Sequence, residues 1–196
     1  MPPRYQYCFT NTKTGMTTFD PYRFMLRSAY DHGTDLRLFM TPLHVSVRVL
    51  FNDLGLGERY DYWQKELVRI NEEEAARAGR KPFPLWDFSN PNSVTREPVP
   101  TTSDLTPMKW FWEFSHYRSA TGKLVLDRVF DHHGPDDRLP SDFGVLLTGS
   151  NLAAHMAETK AGLGDWSAQN SSFAADILAA TRSPKVENNE SSATCW

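Results

Sequence analysis

No stretch of this chain reaches the run of roughly 18 apolar residues that a membrane-spanning helix needs. The opening MPPRYQYCF also lacks the apolar core of a secretory leader. Two readings of its compartment therefore stand: a cytoplasmic protein, or a chain whose leader belongs to its parent. Cysteine is scarce. Cys8 and Cys195 lie near opposite ends, so they make no redox or zinc spacing. They are either a terminal clasp or two idle thiols, and the idle reading is preferred. A basic excess is missing too. With 21 Lys and Arg against 24 Asp and Glu, the net charge is −3 and the pI about 6.1. Such a surface does not draw nucleic acid or an anionic membrane, and a small or neutral partner is expected. There is no internal repeat and no cofactor fingerprint.

What is present is an alternation of helical and strand-like stretches. Tyr5, Tyr7 and Phe9 alternate on one face before a turn at Gly15, which reads as a short strand. The segment FDPYRFMLRSAYDHG has an N-cap in Asp20, proline at the first helical position and a stop at Gly33. DLRLFMTP follows as a buried strand over Leu36–Thr41. LHVSVRVLFNDLGLG reads as a helix ending before Gly55. The clearest helix places Tyr60, Trp63, Leu67 and Ile70 at 3.6-residue spacing and stops at Gly79. Its terminal run NEEEAARAGRK reads as a solvated face. A second buried strand covers Leu85–Phe88. A Pro-, Asn-, Ser- and Thr-rich loop spans Asn90–Thr106, long enough to be functional or mobile. A helix over Ser119–Phe130, a short strand in FGVLL and two C-terminal helices carrying Trp166, Phe173 and Ile177 complete a domain over 1–181. Residues 182–196 have the composition of a disordered tail. Helix leading into apolar strand is the grammar of an α/β fold with a parallel sheet.

The chemistry concentrates in MKWFWEFSHYRSATGKLVLDRVF. Glu113 and His116 are three apart, the spacing of neighbours on a helix face. A carboxylate there fixes the imidazole tautomer by accepting from Nδ1 and leaves Nε2 as a base. The plain alternative is a helix-capping Glu beside a satisfied His. Trp110, Phe111 and Trp112 lower the local dielectric, and Trp112 is either a sugar-stacking platform or core. His44, after the first buried strand, either lines a site or caps a helix. DHHGPDD holds Asp131, His132, His133, Asp136 and Asp137, which read as a polar turn with no metal.

PLWDFSNPNS, a variable loop and WEFSHYRSATGKLVLDRVF together resemble the C-terminal half of the SGNH hydrolase-like superfamily, in its DltD-like and alginate O-acetyltransferase-like branch. TPLHVS adds to the likeness, which covers residues 20–130. The resemblance implies a three-layer, flavodoxin-like SGNH-type parallel sheet flanked by helices. It implies His116 as general base, Glu113 as its orienting acid, and Ser89, His44 and Trp112 around the substrate. The implied activity is an esterase or O-acyltransferase acting on a cell-envelope polysaccharide or similar O-acyl ester, without cofactor or metal. The family acid is usually Asp rather than Glu. The family's Gly-Asp-Ser or Gly-x-Ser nucleophile block is missing from this sequence, as are its oxyanion-donor blocks. The other reading is then a catalytically inactive relative that binds carbohydrate or a partner protein. A lost first strand would open the sheet edge at Leu36–Thr41 to self-association, or to cover by Tyr5–Phe9.

Overall fold

The computed structural model describes residues 8–11, 13–100, 103–132, 134 and 139–181, with only the backbone of 180 and 181. Tyr5, Tyr7, His133, Asp136, Asp137, Cys195 and the expected tail lie outside the described residues. Cys8 is disulfide-bonded, against the expectation of idle thiols.

The chain is mixed α/β. Helix α1 spans Asp20–Asp31, where Pro21 costs no hydrogen bond in the first turn and Gly33 (φ +65°) lets the chain reverse. Asp20 opens the helix rather than preceding it, and its Oδ2 accepts from the Thr17 N–H at 2.8 Å. Strand β1 is Leu38–Met40. Helices α2 (Val45–Asp53) and α3 (Gly57–Ala78) then carry the chain over to β2, Leu85–Asp87. β2 pairs in parallel with β1, Leu38 opposite Leu85 and Met40 opposite Asp87. On its other side β2 pairs with β5 (Val145–Leu146), which runs antiparallel. The expected all-parallel sheet is thus a three-stranded mixed one among the described residues.

Side chains alternate across β2 and divide the core. Leu85 joins Leu26, Met40, Leu67, Ile70 and Leu152 on the face covered by α1, α3 and the start of α5 (Leu152–Gln169). Phe88, just past the strand, joins Phe111, Phe143, Leu124, Val125 and Val129 beneath α4 (Ser119–Val129). A third cluster sets Val45 and Val49 of α2 against Leu163 and Trp166 of α5, with Phe173 of α6 (Ser171–Thr181). Each fully buried Leu, Ile or Phe contributes about 1.5–3 kcal/mol.

Two expectations need correction. Glu113 and His116, read at helix-face spacing, lie instead on a β-hairpin, β3 (Phe111–Glu113) with β4 (His116–Tyr117), while α4 begins at Ser119 as expected. Aromatic residues favour a pleated, half-buried surface, and a two-residue turn satisfies the three-residue spacing as readily as a helix does. The acidic run that ends α3 is not wholly solvated. Glu74 is 2% exposed and receives Arg23, Arg27 and Arg77. Those guanidinium hydrogen bonds, Arg27's first, hold its carboxyl down at about 2.

The first part of the long loop is built rather than loose. Asn92 Oδ1 accepts from the Val94 and Thr95 N–H groups at 2.9 Å each, and Thr95 is fully buried. These residues replace ladder bonds with side-chain bonds, as Asn and Thr do in turns. Among the described residues β1 is an edge strand, with Phe39 42% exposed. Phe9 does not cover it. Phe9 stacks on Phe19 at 5.3 Å, and its neighbour Thr10 bridges Thr17.

Candidate functional site

The hairpin is anchored from below and open above. Phe111 is fully buried. The Arg118 and Thr121 N-terminal turn of α4 ties to it: Arg118 N–H and Thr121 Oγ1 both donate to the Trp110 carbonyl, at 2.8 and 2.7 Å. Glu97 accepts from the Lys109 and Trp110 N–H groups where the chain enters the hairpin. At the turn, the Phe114 carbonyl accepts from the His44 N–H at 3.0 Å. The base of the hairpin is therefore fixed on α4 and its turn on α2, while the side chains of Trp112, Glu113, Ser115 and His116 stay exposed.

At that turn Glu113 and His116 face each other across the last ladder position, and His116 Nδ1 donates to Glu113 Oε1. Ser115 donates twice to the same carboxylate, from its N–H at 2.9 Å and its hydroxyl at 2.9 Å. The backbone bond from Ser115, then the His116 bond, pull the Glu113 carboxyl down to about 2. The imidazole is 80% exposed and the carboxylate 52%. No hydrogen bond reaches His116 Nε2 among the described residues. The tautomer is the one this bonding pattern implies: Nδ1 protonated, Nε2 with its lone pair outward. Beside the pair, Trp112 is 68% exposed, with the Arg118 guanidinium 3.8 Å from its ring centroid. The hairpin thus presents an oriented base next to an aromatic face capped by a cation.

The other sequence candidates lie elsewhere. His44 is fully buried as the N-cap of α2. Its Nε2 donates to the Glu97 carbonyl at 2.8 Å, and its Nδ1 accepts from Ser46 Oγ at 2.7 Å. Burial lowers its pKa, against a smaller opposing effect of the Glu97 bond. Ser89 is 1% exposed, and its hydroxyl donates to Asp87 Oδ1 at 2.7 Å. Neither belongs with the Glu113–His116 pair.

Ser89 belongs instead to a buried polar network at the carboxyl end of β2, which the sequence alone did not suggest. Asp87, 1% exposed, receives His155 Nε2 at 2.8 Å and Gln64 Nε2 at 3.0 Å on one oxygen, and the Ser89 N–H and hydroxyl on the other. Tyr60 OH lies 2.9 Å from Ser89 Oγ, and Arg48 reaches it at 3.4 Å. Burial raises the Asp87 carboxyl, but the bonds from His155 and Ser89 outweigh it, so its pKa falls below the ordinary value. The members come from α2, α3, β2 and α5. The one local signal was a carboxylate inside the apolar LWDF. The Ser89 hydroxyl points at a carboxylate and not at an imidazole, so this is no nucleophile–base pair.

Among the described residues no group of three or more His, Cys, Asp or Glu side chains is arranged to hold a metal. No described helix is long and apolar enough to cross a membrane. No family model, curated protein or solved structure matches the chain.

Proposed function

We propose that this chain supplies the acid–base pair of an SGNH-type esterase or O-acyltransferase. His116 is the general base and Glu113 its orienting carboxylate. The substrate is an O-acylated polysaccharide or a similar acyl ester, with Trp112 stacking on a sugar ring. The finer fold, a three-layer flavodoxin-like sheet of SGNH type, belongs to the same reading, supported by the parallel β1–β2 pair with helices on both of its faces. One observation carries the proposal: the imidazole is bound through Nδ1 to a carboxylate while its Nε2 faces solvent. Base catalysis needs that arrangement, and it contributes about 10²–10⁴-fold where the reacting hydroxyl is within reach.

A second reading is favoured by a different observation. The Ser115 hydroxyl lies on the Nδ1 side, 3.2 Å away, and the Ser89 hydroxyl is buried in the Asp87 network. With no described hydroxyl on Nε2, the hairpin serves instead as a non-catalytic platform for carbohydrate or a partner protein.

Acetate release from an O-acetylated oligosaccharide, measured with the intact chain, separates the two. Under the first reading release is slow, because the base has only water to activate, but it stands above buffer and falls to buffer level in His116→Ala. Under the second, no acetate appears, while the oligosaccharide quenches tryptophan fluorescence in the intact chain and not in Trp112→Ala. Neither release nor quenching would remove both readings.

A further inference from the structure

Arg48 is the buried charge that the fold does not explain. It is 3% exposed. Its guanidinium stacks 3.5 Å from the centroid of the Tyr60 ring, and Nη1 makes one long bond of 3.4 Å to Ser89 Oγ. Among the described residues no carboxylate lies within ion-pair distance of it; Asp87 is reached only through Ser89. A guanidinium carries five N–H donors, and leaving a buried cation so sparsely bonded is costly.

Arg48 forms part of the wall of a cavity of about 440 Å³ between α2, α3 and α5. By liquid-water volume this is room for roughly a dozen waters, or for a small organic molecule.

The wall also fixes the chemistry of the guest. Arg48 and Lys160 are cationic and Glu58 and Asp61 anionic, two of each sign. A simple anion would meet Glu58 and Asp61; a simple cation would meet Arg48. Arg48 is buried, whereas Glu58 and Lys160 are exposed and Asp61 half-buried, so a positive charge lies deep, and both carboxylates lie toward the mouth beside Lys160. Met156 and Leu163 add an apolar surface. We propose that this cavity binds an amino-acid-like zwitterion with an apolar side chain, its carboxylate on the Arg48 fork and its ammonium toward Asp61 and Glu58. A planar carboxylate matches a guanidinium bidentately. This site is separate from the hairpin and does not depend on what the hairpin does.

The test is an amide-shift NMR titration of the 196-residue chain with leucine, with 4-methylpentanoate, which lacks the ammonium, and with isoamylamine, which lacks the carboxylate. Leucine is expected to shift the amides of Gly55, Gly57 and Thr159 saturably, with each half-analogue binding at least about tenfold more weakly. Arg48→Met should abolish the shifts. Asp61→Asn, at a half-buried position that makes no ion pair among the described residues, should keep the fold and weaken leucine about tenfold, so the proposal stays testable if Arg48→Met does not fold. No saturable shift below about 10 mM leucine, half-analogues that bind as well as leucine, or affinity unchanged in Asp61→Asn would each overturn it.

Discussion

Replacing Asp87 by Asn tests how much of the fold rests on the polar network beneath the sheet. The native carboxylate accepts four hydrogen bonds at 2.7–3.0 Å from His155, Gln64 and Ser89, in a site 1% exposed. An amide keeps one acceptor oxygen, so two donors lose their partner. Hydrogen bonds to a charged group are worth about 1.5–3 kcal/mol each, so the full loss would be about 3–6 kcal/mol. Gln64 can flip its amide and His155 can exchange tautomers, which recovers part of this and leaves a net cost of about 2–4 kcal/mol. For a domain of this length that lowers Tm by about 10 °C. Urea denaturation followed by circular dichroism reads the difference. The sign of its pH dependence follows from the depressed Asp87 pKa. The stabilisation by the carboxylate is fully present above the unfolded value of about 3.9, and is lost as pH falls through the lower folded value. The gap between wild type and variant should therefore be wide at neutral pH and narrow below about pH 4. A variant within about 1 kcal/mol of wild type at neutral pH, or a gap that widens in acid, would refute the reasoning.

Gly144 has φ +90°, and a Cβ there would clash with the buried Phe88 ring, so Gly144→Ala should cost about 3 kcal/mol or more in a thermal melt. Carboxyl NMR should find Glu113 titrating near 2, and Ser115→Ala with His116→Ala should raise that value only in part, because the Ser115 N–H remains. The Glu113 contribution to stability stands above its unfolded value of about 4.3 and fades as pH falls through about 2; in so exposed a group it is small, and a large acid transition traced to it would contradict the geometry. The edge of β1, open among the described residues and with Phe39 half out of the core, should let the chain self-associate in sedimentation, and Phe39→Lys should return it to monomer. Sedimentation unchanged by that substitution would dismiss the edge as the contact.

The elements that local physics determines were legible. The apolar stripe of α3, Pro21 at the start of α1 and Gly79 in the left-handed conformation at the end of α3 set boundaries within a residue or two. Both strands of the parallel pair were placed, at greater length than they have. The Glu113–His116 contact was legible as a pairing but not as a shape, because Glu-x-x-His meets on a helix face and across a two-residue hairpin turn alike. The aromatic run before it was the signal for a strand. The Asp87 network was not legible. Arg48, Gln64, Ser89 and His155 are separated by up to about 100 residues, and no local pattern announces that they converge. Glu74 was misjudged for the same reason: three arginines, two of them from α1, reach it in space.

The central claim is that Glu113 holds His116 with Nε2 free to take a proton. Long-range ¹H–¹⁵N correlation on the imidazole at neutral or mildly alkaline pH reads this directly. The geometry predicts protonation at Nδ1 with Nε2 unprotonated, and a shift of the population toward Nε2–H in Glu113→Gln. An imidazole protonated mainly at Nε2 in the wild-type chain, or a tautomer indifferent to Glu113→Gln, would contradict it.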